Sequence, residues 1–597
     1  MIWGDDWDPL LEKDDKGLLV KRMGEIVDGQ YQKYVSSGGE YIRDHFFGEH
    51  PELRELVKNL SDDKLARLRR GGHDPEKVYA AFKAAIDHKG QPTVILAKTI
   101  KGYGLGDIGE GLNKAHNAKT AETDEIIEFR NRFGIPISDE EVADAPFYKP
   151  AEDSTEIKYL KERREALGGF VPTRATEHPK MEVPTFEDMR KVIDRDTGKS
   201  MSTTMGVVRL LTRLCRDKKI GKNIVPIVPD ESRTFGMEGM FQEIGIYAHA
   251  GQKYEPVDAD GLTPYREAKD GQLLEEGISE AGSMSSFNAA GTAYCAHGIN
   301  MIPFYIFYSM FGFQRIADLV WAAADMRAKG FLLGATAGRT TLNGEGLQHQ
   351  DGNSLLFATC FPTVRSFDPA FHYETAVIIA DGLKKLYSEG DTAIYYLMVG
   401  NENYEMPEMP AGCEDGIING LYKFRQAKVK GAENEVELFG SGAIMMQVLR
   451  AQEILAEQYK IASNVWSATS YTQLARNAQE TARLNMLHPD KKPQTSYLEQ
   501  TLKGIKGPVI AASDYVRAHT EQIRSWIPTS FRVLGTDGMG RSDTRPTLRR
   551  HFEVDAESIV IAPLYELSQR GEIDKKAVAK AIKDLDYDPE KIDPLYA

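Results

Sequence analysis

The chain has 597 residues, with 74 lysines and arginines against 89 aspartates and glutamates, for a formal charge of −15. That length exceeds what one hydrophobic core supports and predicts about three or four domains. An acidic chain has no basic excess with which to displace phosphate counterions. This excludes a nucleic-acid or anionic-membrane binder and leaves small molecules and other proteins as partners. The four cysteines, Cys215, Cys295, Cys360 and Cys413, show no close pairing and no metal-ligand spacing, so a reducing compartment is expected. The N-terminus, MIWGDDWDPLLEKDDKG, is acidic and lacks the apolar core of an export signal. The apolar run ending at Phe313 is too short to span a bilayer, so the expected location is the cytoplasm.

In chain order, the pattern predicts α/β layering in three regions. In the first, residues 1–146, helical stretches such as LLVKRMGEIVDGQYQKYV and DPEKVYAAFKAAIDHKG precede an expected short strand, PTVILAKTI. That strand opens into the glycine-rich KGYGLGDIGEGLN. A charged linker at 147–184 carries an expected exposed helix, STEIKYLKERREAL, between proline-containing ends. The second region, 185–405, alternates strands such as NIVPIVPD and MIPFYIFY with Ala- and Gly-rich helices. The third, 406–597, has strands expected near VELFGSG, NVWSATS, PVIAASD and FRVLG. No internal repeat is visible.

The stretch from Asn300 to Gly352 reads as the wall and rim of a buried pocket. Its run NMIPFYIFYSMFGFQR has the apolar density of a strand covered on both faces, here extending to Phe313. Gly338, Gly344, Gly346 and Gly352 allow close backbone approach to a ligand, while Glu345, Gln348 and His349 offer acid, amide and imidazole. Glu280 lies in LLEEGISEAGSMSSFNAAG, where small flanking residues fit close packing better than surface solvation. Asp230 and Glu231 end an expected strand, the place where α/β folds present ligand-binding groups. His116 sits in GEGLNKAHNAKTAE, a stretch of small and polar residues with little hydrophobic anchoring, so mobility is expected there, and Lys101 lies upstream in KTIKGYG.

These segments resemble the homodimeric, thiamine-diphosphate-dependent first component of bacterial pyruvate dehydrogenase complexes. The likeness runs from WGDDWDPLL through HFFGEHPEL, RGGHDPEKVYAAFKAA, TVILAKTIKGYG, DESRTFGMEG and GRTTLNGEGLQHQDG to GTDGMGRSDTRPTLRRHFEVD and the closing RGEIDKK. It implies a transketolase-like, thiamine-diphosphate-binding α/β fold with an incomplete first region. It also implies decarboxylation of pyruvate with transfer of the acetyl group to the lipoyl arm of a dihydrolipoyl acetyltransferase, and a homodimer. By resemblance, Glu280 shares a proton with the aminopyrimidine ring, and Tyr308 and Phe311 provide its stacking surface. Asp230 and Glu231 match acidic active-site residues, and Lys101 adds positive charge. His349, with Glu345 beside it, lies nearest the substrate, and His116 assists acyl transfer from a loop that orders over the site. Phe304, Tyr305, Phe307 and Phe313 are assigned to the core.

The family binds the diphosphate through magnesium, held by a GDG motif and a downstream asparagine. None of the Asp-Gly pairs here follows a glycine, so no metal ligand is assigned, and magnesium ligands are expected from a part of the family pattern outside this sequence. Three alternatives stay open. The chain is a half-subunit completed by a separate N-terminal polypeptide, a non-catalytic remnant, or a decarboxylase of another 2-oxoacid.

Overall fold

The computed structural model describes residues 1–69, 71–117, 120–170, 179–229, 232–343 and 345–597. The chain divides into two compact units, Met1–Val171 and Pro172–Ala597. None of the helices is long and apolar enough to cross a membrane, among the described residues.

The first unit is helical. The stretch expected as one helix forms two, α1 (Leu18–Glu25) and α2 (Asp28–Ile42), because Ile26 and Val27 are extended between them. They pack on an aromatic core of Trp7, Tyr34, Phe46 and Phe47. The buried Arg22 crosses this core, donating to the carbonyls of His45 and Phe46 at 3.0 and 3.3 Å. Helix α3 (Pro75–Asp87) starts where Asp74 accepts from the backbone N–H groups of Glu76 and Lys77 and proline occupies the first turn. It buries none of its residues. Its apolar stripe, Tyr79, Phe82 and Ile86, is 67, 56 and 69% exposed.

The strand expected at PTVILAKTI does not form. The segment is extended, but its one pairing is an isolated bridge between Ile2 and Ala97, and Val94 and Leu96 stay 80 and 54% exposed. Apolar patterning makes a strand only where a neighbour takes its backbone N–H and C=O groups in succession, and here only scattered bonds do so, from the Ile2 and Gly72 N–H groups to the Leu96 and Lys98 carbonyls, both at 2.9 Å. Two further helices follow, α4 (Thr123–Phe133) and α5 (Thr155–Ala166), the latter capped by Ser154 and, as expected, burying no residue.

The second unit carries two main sheets, beside two short two-stranded pairings, Ser200–Met201 with Tyr404–Glu405 and Ile246–Tyr247 with Glu267–Ala268. The first is six-stranded and wholly parallel, in the order β2-β1-β3-β4-β6-β5. Its strands are β1 (Ile224–Val228), β2 (Leu274–Glu275), β3 (Ile302–Tyr308), β4 (Gly330–Ala335), β5 (Val364–Phe367) and β6 (Ile394–Val399). Strands β1, β4 and β6 are buried at every position, which explains their near-continuous apolar sequence. Phe304, Tyr305, Phe307 and Phe313 are at most 1% exposed. Strand β3 ends at Tyr308, where the expected MIPFYIFY ends, and the apolar run to Phe313 does not prolong it. Ser309–Phe311 forms a 3-10 turn and a helix starts at Phe313, which takes Tyr308 and Phe311 out of the packed layer.

The second sheet comprises β7 (Tyr422–Ala427), β8 (Glu435–Gly440), β9 (Ala462–Ser467), β10 (Val509–Ala512) and β11 (Phe531–Leu534), ordered β7-β9-β8-β10-β11. Only β7 runs antiparallel to its neighbour.

Buried carboxylates stitch the two sheets together. Asp368, just past β5, donates its N–H to the Thr469 carbonyl at 2.8 Å and accepts from Ser441 Oγ at 2.7 Å. Glu374 accepts from the hydroxyls of Tyr422 and Ser467, both at 2.6 Å. Asp514, past β10, accepts from N–H and Oγ1 of both Thr340 and Thr341 at 2.6–3.1 Å. Burial pushes Asp368 up to about 7 and raises Glu374 and Asp514 as well.

His372 and His519 are buried in the same unit, and burial pulls each imidazole from 6.5 down to about 4. A depressed histidine pKa means the unfolded chain binds protons that the folded chain refuses. Each histidine's contribution to stability is therefore complete above about pH 6.5 and is lost as the pH approaches 4, by up to about 3 kcal/mol, while the raised Asp368 carboxyl acts in the opposite sense over the same window. Relative to the native chain, His519→Asn is expected to lose less stability, or gain more, as the pH falls across that window. An unchanged slope in a pH series of thermal melts would contradict this.

Candidate active site

Glu280 is the first residue of a 12-residue helix, α6 (Glu280–Gly291). Ser279 caps this helix, its hydroxyl accepting from the Gly282 N–H at 3.2 Å. Placement at the N-terminus aligns the carboxylate with the positive end of the helix dipole. The side chain is nearly buried at 9% exposure, so it requires a partner. Arg315 supplies one, with Nη1 at 2.9 and 3.0 Å from the two carboxylate oxygens. A carboxylate has about four lone-pair sites, so Glu280 keeps capacity for a further donor.

Arg315 lies in the first turn of α7 (Phe313–Asp325), with its guanidinium carbon 4.1 Å from the centre of the Phe311 ring. The Phe311 ring stands edge-on to His349 at 4.8 Å, and Tyr308 meets the same imidazole at 5.1 Å. His349 Nδ1 is 3.1 Å from Glu345 Oε2, outside hydrogen-bonding geometry. The fold thus joins Glu280, Phe311, Tyr308, His349 and Glu345 in one run of contacts, with Arg315 as the link. Arg315 escaped the sequence reading. Its signal was a cation four residues after an aromatic at a helix start, the spacing that places one over the other.

Two glycines of the rim serve a different purpose from the one expected. A Cβ on Gly338 would sit 2.2 Å from Asp514 Oδ2, and one on Gly352 would sit 2.5 Å from Arg339 Nη2. Both make room for the protein's own buried charges. Gly344, Asp230 and Glu231 lie outside the described residues.

In the first unit, Lys101 Nζ is 2.9 Å from His116 Nδ1. An ammonium has no acceptor, so it donates. His116 Nδ1 is then the unprotonated nitrogen, and Nε2 carries the ring proton. A cleft of about 1090 Å³ in the same unit is lined by Trp3, Tyr31, Tyr103, Glu110 and Arg132 among others, but neither Lys101 nor His116 lines it. No group of three His, Cys, Asp or Glu side chains able to hold a metal occurs among the described residues.

Three family models match: the thiamine diphosphate binding domain of transketolase at residues 64–166, the pyruvate dehydrogenase E1 component middle domain at 180–407, and the transketolase-like C-terminal domain at 420–555. The pyruvate dehydrogenase E1 component of Pseudomonas aeruginosa is 54% identical over 596 residues, covering 100% of this chain and 67% of the relative. The chain belongs to the pyruvate dehydrogenase E1 component family. Its relatives in Cupriavidus necator and Escherichia coli K12 are 51 and 48% identical, each over 100% of this chain and 66 and 67% of their own length. The chain therefore spans about two thirds of the relatives it matches. Transketolases from Leishmania mexicana and Campylobacter jejuni share the fold, with TM-scores of 0.57 and 0.54 at 17 and 18% identity. They cover 84 and 83% of this chain and 65 and 66% of theirs.

Ser279→Ala removes the cap of the helix that presents Glu280. It is expected to lower stability by about 1 kcal/mol, read as a lower urea midpoint at constant slope.

Proposed function

We propose that this E1 family member takes part in thiamine-diphosphate-dependent decarboxylation of pyruvate, followed by reductive acetylation of a lipoyl group on a dihydrolipoyl acetyltransferase. The observation that carries this reading is a nearly buried Glu280 carboxylate connected to an aromatic pair and an imidazole–carboxylate pair. These residues fit the pyrimidine half of the cofactor. They offer a carboxylate with an unused lone pair for a ring nitrogen and half-buried aromatic surface, on Tyr308 and Phe311, for the ring face. When bound, thiamine diphosphate supplies the carbon nucleophile and the electron sink.

The remaining work belongs to the chain. Glu280 holds or releases a proton at the pyrimidine nitrogen, and Arg315 fixes its orientation and compensates its charge. His349, backed by Glu345, presents an imidazole to the pyruvate carboxylate. His116, with Lys101 on Nδ1, offers its Nε2 proton during acyl transfer to the lipoyl sulfur. Asp230 and Glu231 are proposed as further acidic groups of the site. A homodimer is proposed from the same family reading. Magnesium finds no ligand set among the described residues, so no step is assigned to it.

One observation favours a refinement. The stripe of α3 and the apolar side chains Val94 and Leu96 of the mostly unpaired segment at 92–100 are exposed. In this reading the diphosphate side is completed by a segment corresponding to the third of the relatives outside the match, which pairs with these exposed groups.

Glu280→Ala is expected to abolish decarboxylation while leaving the thermal transitions in place, and substantial residual activity would defeat the assignment. His116→Ala is expected to reduce lipoyl acetylation more than decarboxylation coupled to an artificial electron acceptor. Equal losses in both assays would remove the division of roles.

A further inference from the structure

His349 meets the Tyr308 and Phe311 rings edge-on, and its Nδ1 has no hydrogen-bond partner. The backbone that carries it is held as lightly. Leu347–His349 is a single 3-10 turn behind Gly346, whose φ of +87° lies in the left-handed region. The bonds that close the turn, from the His349 and Gln350 N–H groups, are 3.3 and 3.2 Å long, and such turns bond less well than an α-helix. Neither the ring nor its own turn therefore fixes where the imidazole stands.

The next residue is anchored far more firmly. Gln350 is 2% exposed, and its oxygen and both amide protons are engaged. Oε1 accepts from the Arg541 N–H at 2.8 Å while Nε2 donates to the Arg541 carbonyl, so the side chain pairs with that backbone in both directions, as a neighbouring strand would. Nε2 also donates to the Leu342 carbonyl at 3.2 Å, which bridges the two ends of the segment 343–349. Arg541 lies in the loop after β11, and that loop is itself pinned. Arg517 Nε donates to Asp537 at 2.7 Å, the buried Arg339 donates to the Gly538 carbonyl, and the Pro594 carbonyl lies where a Cβ on Gly538 would come within 2.2 Å of it. At Gly540 a Cβ would sit 2.9 Å from the Leu347 carbonyl and 3.0 Å from Gln350 Oε1, so this loop forms a close seat under the His349 turn.

We propose that Gln350 is a positioning residue for His349, tying the Leu347–His349 turn to the backbone of Arg541 so that the last region of the chain sets where the imidazole stands against Tyr308 and Phe311. The loop after β11 thus acts on the candidate site through its main chain and adds no side chain to it. A displacement of about 1 Å at a reacting centre costs up to about 100-fold in rate, and a fixed turn prevents it. The inference deepens the role proposed above for His349 and rests on it.

The test is the rate at which diethyl pyrocarbonate acylates each histidine of the purified chain, followed by peptide mass spectrometry with neither cofactor nor pyruvate present. The His349 side chain is 21% exposed, so the native rate is expected to be low. Gln350→Met keeps the length of the side chain and loses all three hydrogen bonds, and is expected to raise the rate at His349 about tenfold. Gly540→Ala leaves the Gln350 amide in place but sets a methyl against it and against the Leu347 carbonyl, and is expected to raise the rate in the same direction. It carries the test alone if Gln350→Met fails to fold. The buried His372 and His519 are expected to keep their native rates, because the release is local. An unchanged rate at His349 in the folded variants, or a rise shared with His372 and His519, would overturn the proposal. Failure of the role assigned to His349 would show elsewhere, as undiminished decarboxylation in His349→Ala.

Discussion

A carboxylate removed from water must be given donors or a cation, and the second unit is organised around that requirement. Glu280 is met by a guanidinium on one side and a helix N-terminus at its base. Glu374 and Asp514 are met by hydroxyls and backbone N–H groups reaching across from the other sheet. Such groups are costly if any partner is lost, so each pins the geometry around it more tightly than apolar packing does. The seam between the sheets is held by acids that take donors from the opposite sheet, and the candidate site is built on Glu280, which keeps acceptor capacity beyond Arg315.

The same logic explains which readings of the sequence hold. The strands of the second unit announce themselves because parallel sheets buried on both faces need unbroken apolar runs, as in IVPIV and IPFYIFY. The near burial of Glu280 agrees with its small flanking residues, while the role proposed for it came from the family resemblance and not from those flanks. Arg315 was not legible, since its meaning depends on a turn at Ser309–Phe311 that the apolar run conceals. The roles of Gly338 and Gly352 were hidden for another reason. A glycine advertises close approach but not what approaches, and here Asp514 and Arg339 fill the space.

PTVILAKTI teaches the complementary lesson. Its composition is that of a strand, but a strand is a property of a pair of segments, and the described residues pair with it only at the isolated Ile2–Ala97 bridge. The exposed face of α3 has the same origin: its periodicity is that of a helix packed against a sheet that these residues do not contain. Both features agree with a chain that spans about two thirds of its relatives' length.

The most direct test of the account is the rate of hydrogen–deuterium exchange at the thiazolium carbon of thiamine diphosphate. It would be followed by NMR on the chain mixed with the relatives' remaining segment and magnesium. The account predicts exchange far faster than for free cofactor with the native chain, and a return to nearly the free rate with Glu280→Ala. Equally fast exchange in both proteins would show that proton control does not run through Glu280 and would contradict the account.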